Sequence, residues 1–497
     1  MGAVNTNSIS LAITEEASIG VLPSSVVAEY MEPNEVGDYG ADITTVARNP
    51  ISKDRQNRKG TITDVSSTVD VTMDTTASHL LAVLPGAMFA DWYSKPHWLR
   101  SNVSATSTGF AVTGGTPSDV KAGDILFARG FNNGANNGLF VVSSVADSDI
   151  SVVGTGTMVA ETGGEAASLY LVGHQFEEGD LAVDSNGNLI TTTFDLTTLD
   201  LVRGQAVFVG GLTESSAFAT SADHGLARVQ GISANLLTLD KRQQTYSADD
   251  GAGKTIQLFY GWFLRNVPLD HEKFKEHFYQ FELAYPGLMD GDATGYEYAT
   301  GNMINTLELS LPLSDKSTMS VETFGKDVED ITETRKNWTI NNPLFTEAYS
   351  TTSDFMRLRI QNVDETGLTT LLKEATLNIN NNAGGENVLG KLGPEFVNYG
   401  NFDITLETTA VFTNAAAVSK IRNNCTVTAD FCIVNNDAGF YFDIPAMTLG
   451  DGSRDFAVNE KIKITLNSNA FGDTSLGYTL SQTFFPYLPT DKAAVCN

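Results

Sequence analysis

From Asp64 to Asp74 the chain alternates with a period of two. Val65, Val69, Val71 and Met73 share one side, with Ser67 as a gap, and Asp64, Ser66, Thr68, Asp70, Thr72 and Asp74 share the other. Successive side chains of a strand point to opposite faces, so this pattern specifies a strand that is apolar on one face and wet on the other. It returns at Leu307, Leu309, Leu311 and Leu313, opposed by Glu308 and Ser310. After a turn near Ser314–Ser317 it continues with Met319 and Val321 against Ser320 and Glu322. Phe402, Ile404 and Leu406 repeat it against Asp403, Thr405 and Glu407, and Ile462, Ile464 and Leu466 give a late example. A chain under this constraint builds half-buried sheets, and the expected fold class is mainly β.

Helix signals are sparse. Ser78–Phe89 predicts one helix, capped by Thr76 or Ser78 and interrupted at Pro85. Thr413–Arg422, with its alanines, predicts a second that Asn423 and Asn424 end. Asp364–Glu374 is a weaker third, with Gly367 inside it.

The middle of the chain contains a duplication. One copy runs Gly123–Gly130, Gly138–Val145 and Ile150–Val152; the other runs Gly204–Gly211, Gly225–Ile232 and Leu237–Leu239. Glycine, apolar and turn positions fall in the same order in both. Two copies are too few for a solenoid. The region from Leu99 to Gly251 is also dense in Asn-Gly and Gly-Gly turns, which favour hairpins. It is expected to be an inserted outer β unit of two repeated modules, covering residues 99–251. Residues 1–98 and 252–497 then form one discontinuous domain. An autonomous unit of this kind is expected to tolerate excision with the ends rejoined.

The formal charge is −29, from 31 basic and 60 acidic residues. Wrapping of nucleic acid needs the opposite sign. An acidic surface fits solubility, or a surface that nucleic acid passes without sticking. Against this background Arg48, Lys53, Arg55, Arg58 and Lys59 form a basic loop around Pro50. Two readings stay open: a solvated loop, and a contact with an acidic surface on a neighbouring copy. Cys425, Cys432 and Cys496 show no zinc or CxxC spacing and read as reduced thiols. Met1–Leu22 lacks the pattern of a signal peptide, and no run reaches the length of a membrane span, so no membrane partner is expected.

Motifs for chemistry are incomplete. Gly251-Ala252-Gly253-Lys254-Thr255 resembles the end of a phosphate loop, but Ala248 stands where its first glycine belongs. Asp290–Gly295 begins like a calcium loop, yet Gly301 replaces the bidentate carboxylate. His271, Glu272 and His277 have Lys275 where a zinc helix needs its second histidine. No catalytic residue, cofactor or metal is expected. Two readings from other classes remain beside a structural one. One is an extracellular or virion carbohydrate-binding adhesin that uses the inserted β modules as the binder, with aromatics such as Phe131, Phe140 and Tyr170. The other is a glycan-cleaving enzyme with a carboxylate pair.

Taken in order, several stretches resemble the tail tube proteins (major tail proteins) of long-tailed bacteriophages. Ile13–Pro23 resembles the arm before the family's first strand, and Ala47-Arg48-Asn49-Pro50 with Gly60 and Thr61 its first loop and hairpin. Gly225–Val229 and Leu237–Lys241 resemble outer modules that some members carry. Tyr298–Asn302 leading into Leu307–Leu313 resembles a central strand, and Tyr441–Ala446 and Asn459–Leu466 the closing strands. The 325–385 stretch departs from the resemblance and finds no place on the family fold. The resemblance implies a β-sandwich or barrel tube domain with a flanking helix, and hexameric rings stacked into a hollow tube in the virion tail. It further implies assembly in the host cytoplasm and genome ejection through the lumen. The partners it implies are other copies, the tape measure, terminator and distal tail proteins, and DNA passing without specific binding. On that reading Asp64, Asp70, Asp74, Glu308 and Glu407 line the lumen, although an outer solvent face would carry the same pattern. Arg48, Lys53, Arg55, Arg58 and Lys59 contact an adjacent subunit or ring, or reach DNA phosphate.

Overall fold

The computed structural model describes residues 4–490, apart from 52, 54, 115, 116, 155–157, 363–366, 370 and 413–415. Curled sheets form a half-barrel, and the fold is mainly β. The chain begins with β1 (Ser10–Glu15), β2 (Val26–Met31) and a long hairpin, β3 (Pro33–Arg48) and β4 (Arg58–Asp74). Helix α1 (Ala77–Met88) follows. Thr76 caps it, its hydroxyl accepting from the His79 N–H at 3.2 Å. The helix runs through Pro85 rather than being interrupted there, because the packing of its buried face outweighs the one hydrogen bond that Pro85 cannot donate. It stops at Phe89, which takes a left-handed conformation with φ 47°.

A second sheet then forms. Its strands include β5 (Asp124–Arg129), β6 (Gly138–Ala146), β7 (Asp149–Val152), β8 (Ser168–Gln175), β9 (Ala206–Val209), β10 (Gly225–Ser233), β11 (Leu236–Asp240) and β12 (Gln257–Tyr260). All neighbours are antiparallel, in the order β7-β6-β5-β8-β12-β9-β10-β11. The two copies of the duplication therefore lie on either side of the β8–β12 pair. Equivalent glycines share a backbone state: Gly123 and Gly204 have φ of 89° and 94°, and Gly130 and Gly210 have 77° and 91°.

The central strands β5, β8, β9 and β12 of this second sheet read as largely continuous apolar runs, and the packing explains why. Leu169, Leu171, Val207 and Val209 enter a core of the second sheet's own. Tyr170, Val172, Ala206 and Phe208 point the other way, into the core of the first sheet. Burial on both faces removes the alternation that a half-wet strand shows.

The chain returns through β13 (Tyr279–Tyr285), β14 (Gly295–Leu311), β15 (Thr318–Gly325), β16 (Trp338–Asn341), β17 (Phe355–Asn362), β18 (Leu372–Asn380) and β19 (Asp403–Val411). Helix α2 (Ala416–Arg422) and strands β20 (Thr426–Val434), β21 (Gly439–Asp455) and β22 (Lys463–Ala470) follow, and Ser481–Phe485 pairs with β21 near the end of the described chain. The first sheet includes the path β3-β4-β15-β14-β18-β19-β22-β21-β20-β17. Strand β16 pairs in parallel with β2.

Two helix expectations meet the structure differently. Helix α2 occupies the described part of Thr413–Arg422 and ends with Asn424 in a left-handed turn, φ 47°; residues 413–415 lie outside the described residues. Asp364–Glu374 is not a helix where it is described: Gly367–Thr369 and β18 are strands. Ala375, Leu377 and Ile379 alternate into the core, and β18 is drawn between β14 and β19. Pairing on both sides overrides a weak local preference. The 325–385 stretch thus supplies β16, β17 and the central β18. Cys425 and Cys432 are free thiols, and Cys496 lies outside the described residues.

Candidate functional site

The half-wet strands assemble into one continuous polar face. Reading across register, Asp70 stands opposite Glu322, then Thr306, Asn380 and Asp403. The next row is Thr72, Ser320, Glu308, Asn378, Thr405 and Asn469. The third is Asp74, Thr318, Ser310, Thr376, Glu407 and Asn467. Asp70, Asp74, Glu308 and Glu407 therefore share a surface spread over β4, β15, β14, β18, β19 and β22. The opposite side of the same strands is core: Val69, Val71, Leu307, Leu309, Leu377 and Leu406 are buried. Asp64 lies further along β4, beyond the part paired with β15, and accepts a 2.9 Å bond from the Asn387 amide.

Charges on this face are uneven. Burial, with Asp38 and Glu35 nearby on β3, raises the Asp70 pKa. Burial also works against an ionised Asp74, but Lys316 at 2.8 Å and the Asn34 amide at 2.5 Å outweigh it and lower its pKa. Glu322, Asp403 and the asparagines 378, 380, 467 and 469 were not singled out from the sequence as lining residues. Their signal was the same parity in the same alternation.

The second feature is the β3–β4 hairpin. Strand β4 pairs with β15 only over Ser67–Asp74. Beyond that, β3 and β4 pair with each other from Asp42↔Ser66 to Arg48↔Arg58, a ribbon of about 25 Å at strand rise. Ile43, Val46 and Ile62 on it are 56%, 56% and 48% exposed, and Ile51 at the tip is fully exposed. A two-stranded ribbon is marginal in water by itself, and among the described residues no third strand pairs with this one over that length. Arg48, Lys53, Arg55, Arg58 and Lys59 come together at its tip, all exposed, with Arg55 at φ 53°. A second hairpin, Gly384–Asn387 with Pro394–Asn398, stands at the same end and exposes Leu389, Leu392 and Phe396.

The third feature, unforeseen in the sequence, is a buried ionic network between the two sheets. Asp430 on β20 and Asp443 on β21 are cross-strand partners, and neither side chain has any exposure. Arg228 of β10 bonds Asp443 Oδ2 at 2.8 Å and holds Asp240 through Nε and Nη2 at 2.8 and 2.6 Å. Tyr478 donates to Asp443 Oδ2 at 2.9 Å. Lys241, just after β11, places Nζ 2.5 Å from Asp443 Oδ1, 4.0 Å from Asp430 Oδ1, and against the Thr428 hydroxyl. Arg357 Nε pairs with Asp430 Oδ2, and Arg359 Nε lies 3.4 Å from Asp430 Oδ1. Burial pushes both the Asp430 carboxyl up and the Lys241 ammonium down. Burial opposes ionisation of Asp443 too, but Arg228 and Lys241 outweigh it and hold its pKa at about 2. The available signal was a lone aspartate in each of two apolar runs, Val427–Val434 and Phe440–Met447.

The chemical motifs resolve into structure. Gly251–Thr255 is a loop entering β12, with Lys254 donating to the Glu214 carbonyl at 2.8 Å. Asp290–Asp292 is a single 3-10 turn. His277 pairs with Glu15 at 3.0 Å, while Lys275 bridges Glu15 and Asp91 at 2.8 and 3.3 Å. Among the described residues no group of three or more His, Cys, Asp or Glu is placed to hold a metal. Phe131 and Tyr170 are buried in core, and Phe140 packs edge-on against Phe110 at 5.2 Å, so these aromatics form no exposed binding platform. A comparison with curated proteins gives no match. A family model for phage tail tube proteins matches residues 6–240 and 244–470, running through both sheets, and the chain belongs to that family.

Proposed function

We propose that this tail tube protein forms hexameric rings that stack head to tail, with the polar face of β4, β15, β14, β18, β19 and β22 turned to the lumen. The observation that carries this reading is the continuity of that face. Hydroxyls and amides fill three cross-strand rows, with carboxylates set among them and core on the opposite side. A polyanion moving over such a lining is repelled weakly and finds no cationic trap. Genome ejection then needs only a channel, and the protein turns over no substrate. The second sheet lies outside, and tape measure, terminator and distal tail proteins meet the stack at its axis and ends. Assembly takes place in the host cytoplasm.

In this arrangement the β3–β4 ribbon reaches the adjacent ring. Its basic tip supplies the complementary charge that identical acidic rings lack. Each exposed pair contributes only about 0–1 kcal/mol, but every copy around a ring repeats it. Electron microscopy of the purified protein is expected to show tubes with a central channel. The double variant Arg55→Glu/Arg58→Glu is expected to fold with an unchanged circular dichroism spectrum and to polymerise poorly, with a defect that varies with ionic strength. Tubes of normal length at low and high salt remove the loop as an assembly contact. A structure of the tube with Asp70, Glu308 and Glu407 on its exterior overturns the lumen assignment.

A further inference from the structure

We propose that Lys241 and Asp443 condense into an intramolecular isopeptide bond, with Asp430 as the proton carrier, so that the second sheet is covalently fastened to the first. Three observations converge on it. The nucleophile is held against the carboxyl group it would attack, since Lys241 Nζ lies 2.5 Å from Asp443 Oδ1. A second carboxyl stands beside both, because Asp430 is the cross-strand partner of Asp443 and its Oδ1 is 4.0 Å from the same nitrogen. The site is closed to water: Lys241 is 3% exposed and both aspartates 0%.

The reaction balances without an oxidant or other co-reactant. The ammonium of Lys241 passes one proton to Asp430, which leaves a neutral amine. Its lone pair attacks Asp443 Cγ and a C–N bond forms. Asp430 delivers its proton to Oδ1, takes a second proton from the nitrogen, and delivers that one too. The Cγ–Oδ1 bond breaks and water departs, carrying two of the three ammonium protons. The third stays on the amide nitrogen, and Asp430 ends ionised as it began. During the attack negative charge builds on Oδ2, where Arg228 Nη1 at 2.8 Å and the Tyr478 hydroxyl at 2.9 Å already donate. Burial moves the shared proton the right way, off Lys241 and onto Asp430. Asp443 starts as a carboxylate, the poorer acyl form, and the two donors on Oδ2 offset that by withdrawing its charge. The event happens once per chain, a self-modification and not turnover.

The test is the intact mass of the purified full-length protein, denatured and reduced. The expected mass is one water below that of the sequence. Proteolysis with tandem mass spectrometry is expected to give a branched peptide joining Lys241 to Asp443, residues 202 apart in the chain. The full sequence mass overturns the proposal whatever the variants do. A water deficit mapped to Lys241–Asp430, or to any other position, overturns the assignment. Lys241→Arg is expected to restore the full mass. Asp430→Asn keeps size and shape and is expected to slow cross-linking about 100-fold. Cross-linking at the unaltered rate in that variant removes Asp430 from the reaction.

Discussion

Glu29, on β2, lines a cavity of about 400 Å³ together with Glu15, Asp91, Arg100 and His277. Burial drives its pKa up to about 7, against the pull of Arg100 and Ser78. An unfolded glutamate titrates near 4.3, so the folded chain holds an extra proton between there and about 7. Its contribution is fully present below the unfolded value and is lost as pH rises through the folded one. The loss amounts to roughly 4 kcal/mol at most. Glu29→Gln is therefore expected to stabilise the protein at pH 8 and leave it nearly unchanged at pH 4. Urea unfolding of both proteins at the two values reads the difference, and a variant that tracks the parent at both shows that Glu29 is ionised when folded. Such a residue is hard to find in a sequence, because its environment comes from β1, α1 and the chain after β12. The lining residues were easier, since parity along each strand fixes the face. What parity does not give is register: that Asp70 meets Glu322 and Glu308 meets Asn378 depends on pairings between distant segments.

At the scale of elements, α1 shows how packing outranks propensity. Its Gly86 is helical, and alanine there would gain about 1 kcal/mol of intrinsic preference. An added Cβ would sit 2.5 Å from Tyr279 Cε2 and 2.9 Å from Ile304 Cδ1. Tyr279 is buried and the core is close-packed, so relief requires moving the strand, at about 1–3 kcal/mol. The clash outweighs the gain, and Gly86→Ala is expected to lower stability by up to about 2 kcal/mol in a thermal or urea melt. A more stable variant would mean the helix has room to lift. The same competition settled β18. Its local sequence is weakly helical, and the sheet took it because β14 and β19 offered ladders on both sides. Helix α1 itself was readable from Thr76 and its apolar run, and Pro85 misled only about its length.

For the whole molecule, the duplication was legible because turns leave local marks, and the paired glycines kept them in both copies. The joint between the sheets left no local mark. It is made of Tyr170, Phe208 and Phe259 facing Phe440, Phe484 and Tyr487, and of the ionic cluster at Asp430 and Asp443. Removing residues 99–251 would take Arg228 and Lys241 away and strand buried carboxylates, each such loss costing about 3–5 kcal/mol. It would also bare an apolar sheet face. The excision that turn density recommends is therefore expected to yield no soluble chain, whereas a linker inserted at the exposed Asp147–Ser148 turn leaves folding intact. Recovery of a soluble, assembling protein after the deletion would show that the first sheet is self-sufficient.

The rows across the polar face have a mechanical corollary. Neighbouring strands are about 4.8 Å apart, and like-facing residues along a strand about 6.7 Å. Duplex DNA presents a charge about every 1.7 Å along its axis. On the lumen reading the step along a strand is about four times that charge spacing, but the strand-to-strand step is not a whole multiple of it, so the two lattices stay out of register wherever the strands cross the tube axis. As the duplex advances, some phosphates climb small electrostatic ripples while others descend, and the ripples cancel. Static friction then stays low at every position of the cargo, so a genome at rest in the tube starts to move under almost any driving force.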